Sequence, residues 1–128
     1  MSIGIELDPG WAWDDNIPMS QGVKIGNLLF ISGQIALDPD GKVVGEGDML
    51  AQTERVYDNI AAILKRAGGT FENVIKVTAY LTDMSRYPQY NQVRSKIFAA
   101  YRPASTTVEV SGLAFKGLLV EVEAVAHI

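Results

Sequence analysis

Two stretches of the chain carry apolar residues at the three- and four-residue spacing that gives an α-helix one apolar face. The first runs from Asp48, a candidate N-cap, to Ala67, and it ends at Gly68 because glycine fits the left-handed position after a helix. The second covers Pro88 to Ala100, since proline suits the first turn of a helix. The residues that mark the two apolar faces are Met49, Val56, Ile60, Ile63, Leu64 and Ala67 in the first helix and Tyr90, Val93, Ile97 and Tyr101 in the second.

Other stretches have the β-branched or alternating pattern of strands. Val23–Ile25 and Leu28–Ile31 flank Gly26-Asn27, a pair that tolerates positive φ and therefore predicts a hairpin. Further strands are predicted over Val74–Leu81, Thr106–Val110 and Leu118–Ala126. In the last of these, Val120, Val122, Ala124 and Ala126 fall on one face and Leu119, Glu121, Glu123 and Val125 on the other.

Helices that alternate with groups of strands predict an α+β domain, with both helices on one face of a mixed β-sheet. No repeat, linker or low-complexity segment interrupts residues 1–128, so we expect a single domain. The first twenty residues, which include Trp11 and Trp13, are expected to form an irregular arm over the body. Asp38–Gly41 predicts a turn.

Glu109, Glu121 and Glu123 lie inside otherwise apolar strands, where charged residues are rarely buried unless they are paired. Leu119 and Val125 share a face with two of these glutamates. Two interpretations of this face stay open: it meets solvent on an open sheet, or it forms an oligomer interface that contains clefts.

Composition excludes several classes of function. The net charge is −4 and no basic run is present, which argues against nucleic-acid binding because that affinity depends largely on phosphate neutralisation. The absence of cysteine excludes disulfides, thiolate catalysis and cysteine-rich metal sites. The one histidine, His127, is expected at a strand end, and no spacing indicates a metal site. With neither a long apolar run nor a secretory signal, the sequence predicts a soluble cytoplasmic protein that binds no membrane.

Several motifs, in the same order and at the same spacing, resemble the RidA/YjgF family from about residue 18 to the end. They are the Ser-Gly-Gln strand Ile31–Ile35; Gln52-Thr53, Asn59-Ile60 and Ala67–Gly69 in the first helix; Val74–Thr78 with Leu81–Asp83; Asn91; Pro103-Ala104 with Val108–Val110; and Val120–Ala124. The resemblance implies a chorismate-mutase-like fold and a homotrimer whose sheets line a central barrel, with clefts between subunits. It also implies hydrolysis of enamines and imines, such as 2-aminoacrylate, to keto acids and ammonia without a cofactor.

The same resemblance assigns candidate site residues. The family's water-positioning glutamate falls on Glu121, and Ser32 and Asn91 keep the family's residue types. The usual cleft tyrosine is Met19, and the usual cysteine is Thr107. The family arginine that pairs with a substrate carboxylate falls on Ser105, which offers one neutral hydrogen bond in place of a bidentate ionic contact.

These residues lead to one main hypothesis and two rivals. The main one is a hydrolytic deaminase of an enamine or imine other than a simple 2-imino acid, with Glu121 as the catalytic residue and the site between subunits. The first rival is a non-catalytic trimer that binds a small metabolite, and the weaker second is an endoribonuclease. For Ser32 and Asn91, structural hydrogen bonding is as good an interpretation as substrate contact. Arg102 and Lys116 are candidate substitute cations, although solvation is expected for both.

Overall fold

The predicted helical and alternating patterns form a six-stranded β-sheet with two α-helices in a computed structural model that describes residues 4–128. The elements are β1 Ile5–Leu7, β2 Gly22–Ile25, β3 Leu28–Ile35, α1 Met49–Arg66, β4 Val74–Leu81, α2 Tyr87–Ile97, β5 Ala104–Glu109 and β6 Val120–His127. Neighbouring strands follow the order β1-β2-β3-β6-β4-β5. All neighbours are antiparallel except β4 and β5, which are parallel, and the expected mixed α+β architecture is confirmed.

Helix α1 begins and ends close to the predicted residues. The side chain of Asp48 accepts a hydrogen bond from the backbone N–H of Ala51, a cap that contributes about 1 kcal/mol to helix stability. Gly68 has a φ of 84°, the left-handed conformation that favours glycine after a helix. The apolar face of α1 packs on β3 and β6. Local spacing and capping signals were therefore sufficient to define this element.

Two buried amides of α1 connect the helix to the backbone of neighbouring segments. Asn59 donates to the carbonyl oxygens of Ile35 and Leu37 at 3.1 and 3.0 Å. The Gln52 amide donates to the carbonyl oxygen of Gly117 at 2.8 Å and accepts from the backbone N–H of Leu119 at 2.8 Å. Buried polar groups need such partners, so these two family-like residues have structural roles.

Helix α2 ends earlier than the sequence pattern predicts. It stops at Ile97 because Phe98 leaves the helical region, with φ −103° and ψ 33°. Tyr90 is fully buried, and its hydroxyl lies 2.7 Å from that of Tyr57 on α1. Tyr101 lies beyond the helix and is 44% exposed, so its prediction as a buried helical residue was wrong.

The N-terminal region contains more structure than the irregular arm that we expected. Ile5–Leu7 pairs with β2 as a sheet edge, a strand too short to show a sequence pattern. Trp11 is buried in the core and stacks on Trp13 at a ring-centroid distance of 6.2 Å. The hairpin of β2 and β3 is confirmed, although of the two turn residues, Gly26 and Asn27, only Gly26 has a positive φ, at 58°.

The sheet has one face under the helices and one face without a cover in a single protomer. Val120, Val122, Ala124 and Ala126 all point to the helices and are buried, as the alternation predicted. Strand register places a second set of side chains on the opposite side, which we call the open face: Phe30, Lys76, Thr78, Tyr80, Val108, Glu121, Glu123 and Val125. On it, Phe30 is 47% and Val108 is 38% exposed.

None of the helices within residues 4–128 is both long enough and apolar enough to cross a membrane.

Candidate functional site

A β-bulge in β3 shapes the surroundings of Glu121. The register between β3 and β6 shifts between Ile31 and Gln34, so the bulge falls on Ser32 and Gly33. A Cβ on Gly33 would overlap Oε2 of Glu121 and lie 2.8 Å from its Cδ. The glycine of the Ser-Gly-Gln motif therefore leaves the space that the Glu121 carboxylate occupies.

The other two residues of that motif fix the chain that enters β2. The Ser32 hydroxyl donates to the carbonyl oxygen of Ser20 at 2.6 Å, and the Ser32 N–H donates to the carbonyl oxygen of Gln21 at 2.9 Å. The Gln34 amide, which is buried, donates to Oε1 of Gln21 at 2.8 Å. Ser32 thus has the structural hydrogen bonds that one interpretation of the sequence gave it, and its chain neighbour Gly33 lies against the Glu121 carboxylate.

Glu121 is partly buried on the open face. Desolvation by burial, with a smaller contribution from the negative charge of Glu123, raises the pKa of Glu121 above its usual range. The hydroxyl of Tyr80 donates to Oε1 of Glu123, and this hydrogen bond raises the pKa of Tyr80. Glu121 has no such partner among the hydrogen bonds of residues 4–128, so its carboxylate is available to water or a ligand.

A second group of candidate residues surrounds a cavity of about 460 Å³ between α2 and the start of β5. Asn91 and Ser105 both line it, which brings together two residues that the sequence singled out. Ser105 is the register partner of Val77, a buried residue that faces the helices. The lining residues are Val77, Asn91, Arg94, Ser95, Phe98, Ala99, Arg102, Pro103 and Ser105.

Arg94 joins Asn91 to Ser105 in this cavity, and the sequence interpretation had missed it. Its Nε and Nη2 donate to Oδ1 of Asn91 at 3.2 and 2.6 Å, and its Nη1 donates to the Ser105 hydroxyl at 3.2 Å. Nη2 also donates to the hydroxyl of Tyr87, and the guanidinium lies 5.4 and 5.3 Å from the ring centroids of Tyr87 and Tyr90. The available signal was the three-residue step from Asn91 to Arg94, which places both on one helix face.

The two groups lie on opposite faces of the sheet in one protomer. Glu121 is the register partner of Tyr80 on the open face, whereas Ser105 pairs with Val77 on the helix face. Side chains of adjacent strand residues point to opposite sides, so no rotamer change brings Glu121 to Arg94 within one chain. A site that uses both groups therefore needs two copies of the chain.

The remaining candidates lie at the margins of these groups. Met19 is 41% exposed and lines a small cavity together with Ser20, whose carbonyl oxygen accepts the hydrogen bond from Ser32. Thr107 is partly buried opposite Ala79 and does not line the cavity. Of the two substitute cations that the sequence suggested, Arg102 lines the cavity, whereas Lys116 is exposed in the loop before β6.

Glu109 has a structural hydrogen bond, since its Oε1 accepts from the backbone N–H of Met84 at 2.8 Å. Within residues 4–128, no three histidine, aspartate or glutamate side chains are grouped closely enough to hold a metal ion.

Comparison with known proteins decides the family. Residues 13–128 match the family model described as Endoribonuclease L-PSP. A Yersinia pestis structure, described as a protein of unknown function of the conserved Rid protein family, is 35% identical with a TM-score of 0.91, covering 98% of this chain and 99% of that one. This chain belongs to the RidA/YjgF family.

Two further relatives of this RidA/YjgF chain agree. A RutC family protein of Pyrococcus abyssi is 44% identical over 110 residues, which are 86% of each chain. The structure of a member of the YjgF/YER057c/UK114 family from Mycobacterium tuberculosis is 31% identical with a TM-score of 0.86, and the match covers 98% of this chain and 99% of that one. Ser105, the position on which the resemblance places the family arginine, accepts a hydrogen bond from Nη1 of Arg94.

Proposed function

We propose that the protein is a homotrimer that hydrolyses the C=N bond of an imine or enamine metabolite without a cofactor, in clefts between subunits. The observation that carries this proposal is the position of Glu121, a partly buried carboxylate with a raised pKa beside the glycine of the β3 bulge. Acids of this kind in clefts are candidates for proton transfer, because their pKa lies nearer to the working pH.

The proposed reaction needs one water and one proton carrier. The ionised Glu121 carboxylate accepts a proton from a water molecule as the water oxygen adds to the carbon of the C=N bond. The same proton passes to the nitrogen and gives a carbinolamine. Glu121 then moves the hydroxyl proton of this intermediate to the nitrogen, the C–N bond breaks as the C=O bond forms, and ammonia and a carbonyl compound leave. An enamine first becomes the imine by moving a proton from nitrogen to carbon.

The trimer is proposed because each protomer is incomplete in two respects. Its open face exposes large apolar side chains, including Phe30 and Val108, and such patches mark contact surfaces. Its two groups of site residues lie on opposite faces of the sheet. A closed ring of identical subunits covers the open faces and sets Glu121 of one copy against the α2–β5 cavity of the next.

The proposed substrate is not a simple 2-imino acid. In the family's pattern the α-carboxylate pairs with an arginine projecting from position 105, and here Ser105 ends at its hydroxyl. The test generates 2-aminoacrylate with a threonine dehydratase acting on serine, traps it with semicarbazide, and measures how far this protein suppresses the semicarbazone. We expect this protein to suppress the semicarbazone less than an arginine-bearing relative does, and to hydrolyse other imines in a panel more strongly. Suppression equal to that of the relative would overturn the substrate assignment.

The cavity itself favours a second candidate, a trimer that binds a metabolite without transforming it. Its lining contains arginine, asparagine and serine but no carboxylate and no histidine, so by itself it offers recognition without a proton carrier. Hydrolysis of any imine in the panel, lost on substitution of Glu121, would exclude this candidate. Endoribonuclease activity, which the family description names, is the weakest candidate because the net charge is −4.

A further inference from the structure

Arg94 is a fixed cation whose charge no carboxylate of residues 4–128 neutralises. Asn91, Ser105 and Tyr87 hold its guanidinium through neutral oxygen atoms, and two tyrosine rings lie beside it. Among residues 4–128, the ion pair that the structure contains joins Arg86 to Asp83 and leaves Arg94 without an acidic partner. A charged group that is held in one orientation, partly buried and unpaired, is prepared for an anion from outside the chain.

Two donors at this point remain free for one ligand. Nη1 of Arg94 carries two N–H groups, and one of them accounts for the hydrogen bond to Ser105. The Ser105 hydroxyl accepts that bond, so its own hydrogen can be donated outward. Both residues line the cavity of about 460 Å³, which has space for a small organic acid. The N–H and the O–H can therefore meet the two oxygens of one carboxylate.

We infer that Arg94 and Ser105 together form the anion-binding subsite of this protein and that its ligand is a small metabolite with a carboxylate or similar anionic group. The inference rests on the proposed function only in assigning that anion to the substrate. Substitution of the family arginine by Ser105 then moves the cation from β5 to α2 and does not remove it from the cleft.

Because the cation comes from α2 and not from β5, the cavity should prefer a different acid from the one that an arginine at position 105 would bind. An arginine at position 105 would project its guanidinium away from the strand, whereas Arg94 reaches Ser105 from the helix and holds its guanidinium against the strand. The anionic group must therefore enter deeper into the cavity, closer to the strand. We expect an acid whose carboxylate is separated from the reacting carbon by additional atoms to bind better than a 2-imino acid or its 2-oxo product.

The test uses two oxo acids, 2-oxobutanoate and 4-oxopentanoate, and compares the affinity of each acid with that of its neutral amide. Binding to the ¹⁵N-labelled full-length protein is followed by NMR titration at low and high salt. At least one acid should bind more tightly than its amide and should weaken as salt rises, because salt screens the charge. If neither acid binds more tightly than its amide in the wild-type protein, the inference is wrong.

Arg94→Gln, which keeps amide donors but removes the charge, should weaken binding of the acid about tenfold to a hundredfold, the usual effect of one hydrogen bond to a charged group. The matched control is Lys96→Gln, which removes a positive charge from an exposed position of the same helix outside the cavity and should retain most of the affinity. Arg94→Lys keeps the charge without the planar fork and should fall between the two. Circular dichroism and molar mass establish that each variant is folded.

The variants separate this inference from the proposed function. Glu121→Gln should bind the acid at least as tightly as the wild type does, because a nearby negative charge is removed, even when turnover is lost. Equal losses in Arg94→Gln and Lys96→Gln, or no loss in folded Arg94→Gln and Arg94→Lys, would overturn the subsite whatever the activity. Loss of binding in Arg94→Gln, in a protein that hydrolyses no imine, would support the subsite and leave the protein as a binding trimer.

Discussion

At the scale of single residues, Glu121 depends on neighbours from three strands. Gly33 leaves space for its carboxylate, Glu123 adds a like charge, and Tyr80 forms a hydrogen bond with that second carboxylate and not with Glu121. The surroundings therefore give two glutamates of one strand different roles, since Glu123 has a hydrogen-bond donor and Glu121 keeps its oxygens free.

Glu121→Gln tests the catalytic assignment. The amide keeps the shape of the side chain but accepts no proton, so turnover of any imine substrate should fall about a hundredfold or more, the usual scale for a positioned acid–base group. The semicarbazone assay measures turnover, and light scattering checks the molar mass. Glu123→Gln, on the same strand and face, is the matched control and should retain most of the activity. A correctly assembled Glu121→Gln protein with full activity would show that Glu121 is structural.

The raised pKa of Glu121 also predicts a pH-dependent stability. The folded protein favours the protonated form of the Glu121 carboxyl. The stability that this preference contributes is complete below the unfolded-state pKa of about 4.3, and it is lost as the pH rises through the raised folded-state pKa. Lys76, Tyr80 and Glu123 share the open face with Glu121. They are present in both the wild type and Glu121→Gln, so their charges affect the melting temperature of both proteins. The melting temperature of the wild type relative to Glu121→Gln should therefore fall as the pH rises above the unfolded-state pKa. A difference that does not change with pH would contradict the prediction.

At the scale of secondary-structure elements, the β3 bulge connects sequence to function. A side chain at position 33 of the bulge would lie where the Glu121 carboxylate lies, and the glycine removes that conflict. The same bulge turns the Ser32 hydroxyl and the Gln34 amide towards the entry of β2. One short motif thus fixes a neighbouring segment and opens a position for a carboxylate.

Gly33→Ala should impair catalysis without changing any charge. The added Cβ forces the Glu121 side chain to move, and because that side chain is flexible the cost in stability should be small. Turnover should fall while the melting temperature stays close to that of the wild type. Gly112→Ala is the matched control, since a Cβ there meets no atom within 4 Å and its φ is not positive. Full turnover in Gly33→Ala would show that the Glu121 position is not required.

At the scale of the whole molecule, the sheet presents apolar and acidic side chains together on its open face. Phe30 lies beside Val125 across one strand pair, and Glu121 lies beside Tyr80 across another. Assembly of three copies around their open faces would bury the apolar residues and leave the carboxylates at the clefts. This arrangement favours the interface over the solvent-facing alternative that the sequence left open.

The assembly is tested by mass. Light scattering after size exclusion should give three times the chain mass of 13.9 kDa. Phe30→Asp places a charge on the open face and should yield smaller species, because an unpaired buried charge is costly. Gln92→Asp adds the same charge to an exposed position of α2 and should leave the mass unchanged. A monomeric wild-type protein would remove the basis for a site shared between copies.

The sequence by itself determined the elements whose signals are local. The spacing of apolar residues, the Asp48 cap and Gly68 defined α1 to within a residue or two, and alternation assigned each face of β6. It failed where the local signal was weak: β1 has three residues, and the apolar spacing continued to Tyr101 although α2 ends at Ile97. Helical and strand periods are properties of the backbone, which is why they can be recognised along the chain.

Only the tertiary structure decided which residues meet. β6 lies between β3 and β4, and this order places Glu121 beside Gly33. Arg94 reaches Ser105 from a different element, so no motif that joins them exists in the sequence. Residue types and faces follow from local geometry, whereas the position of a charge in a cleft follows from strand order, register and helix packing, which depend on contacts between distant parts of the chain.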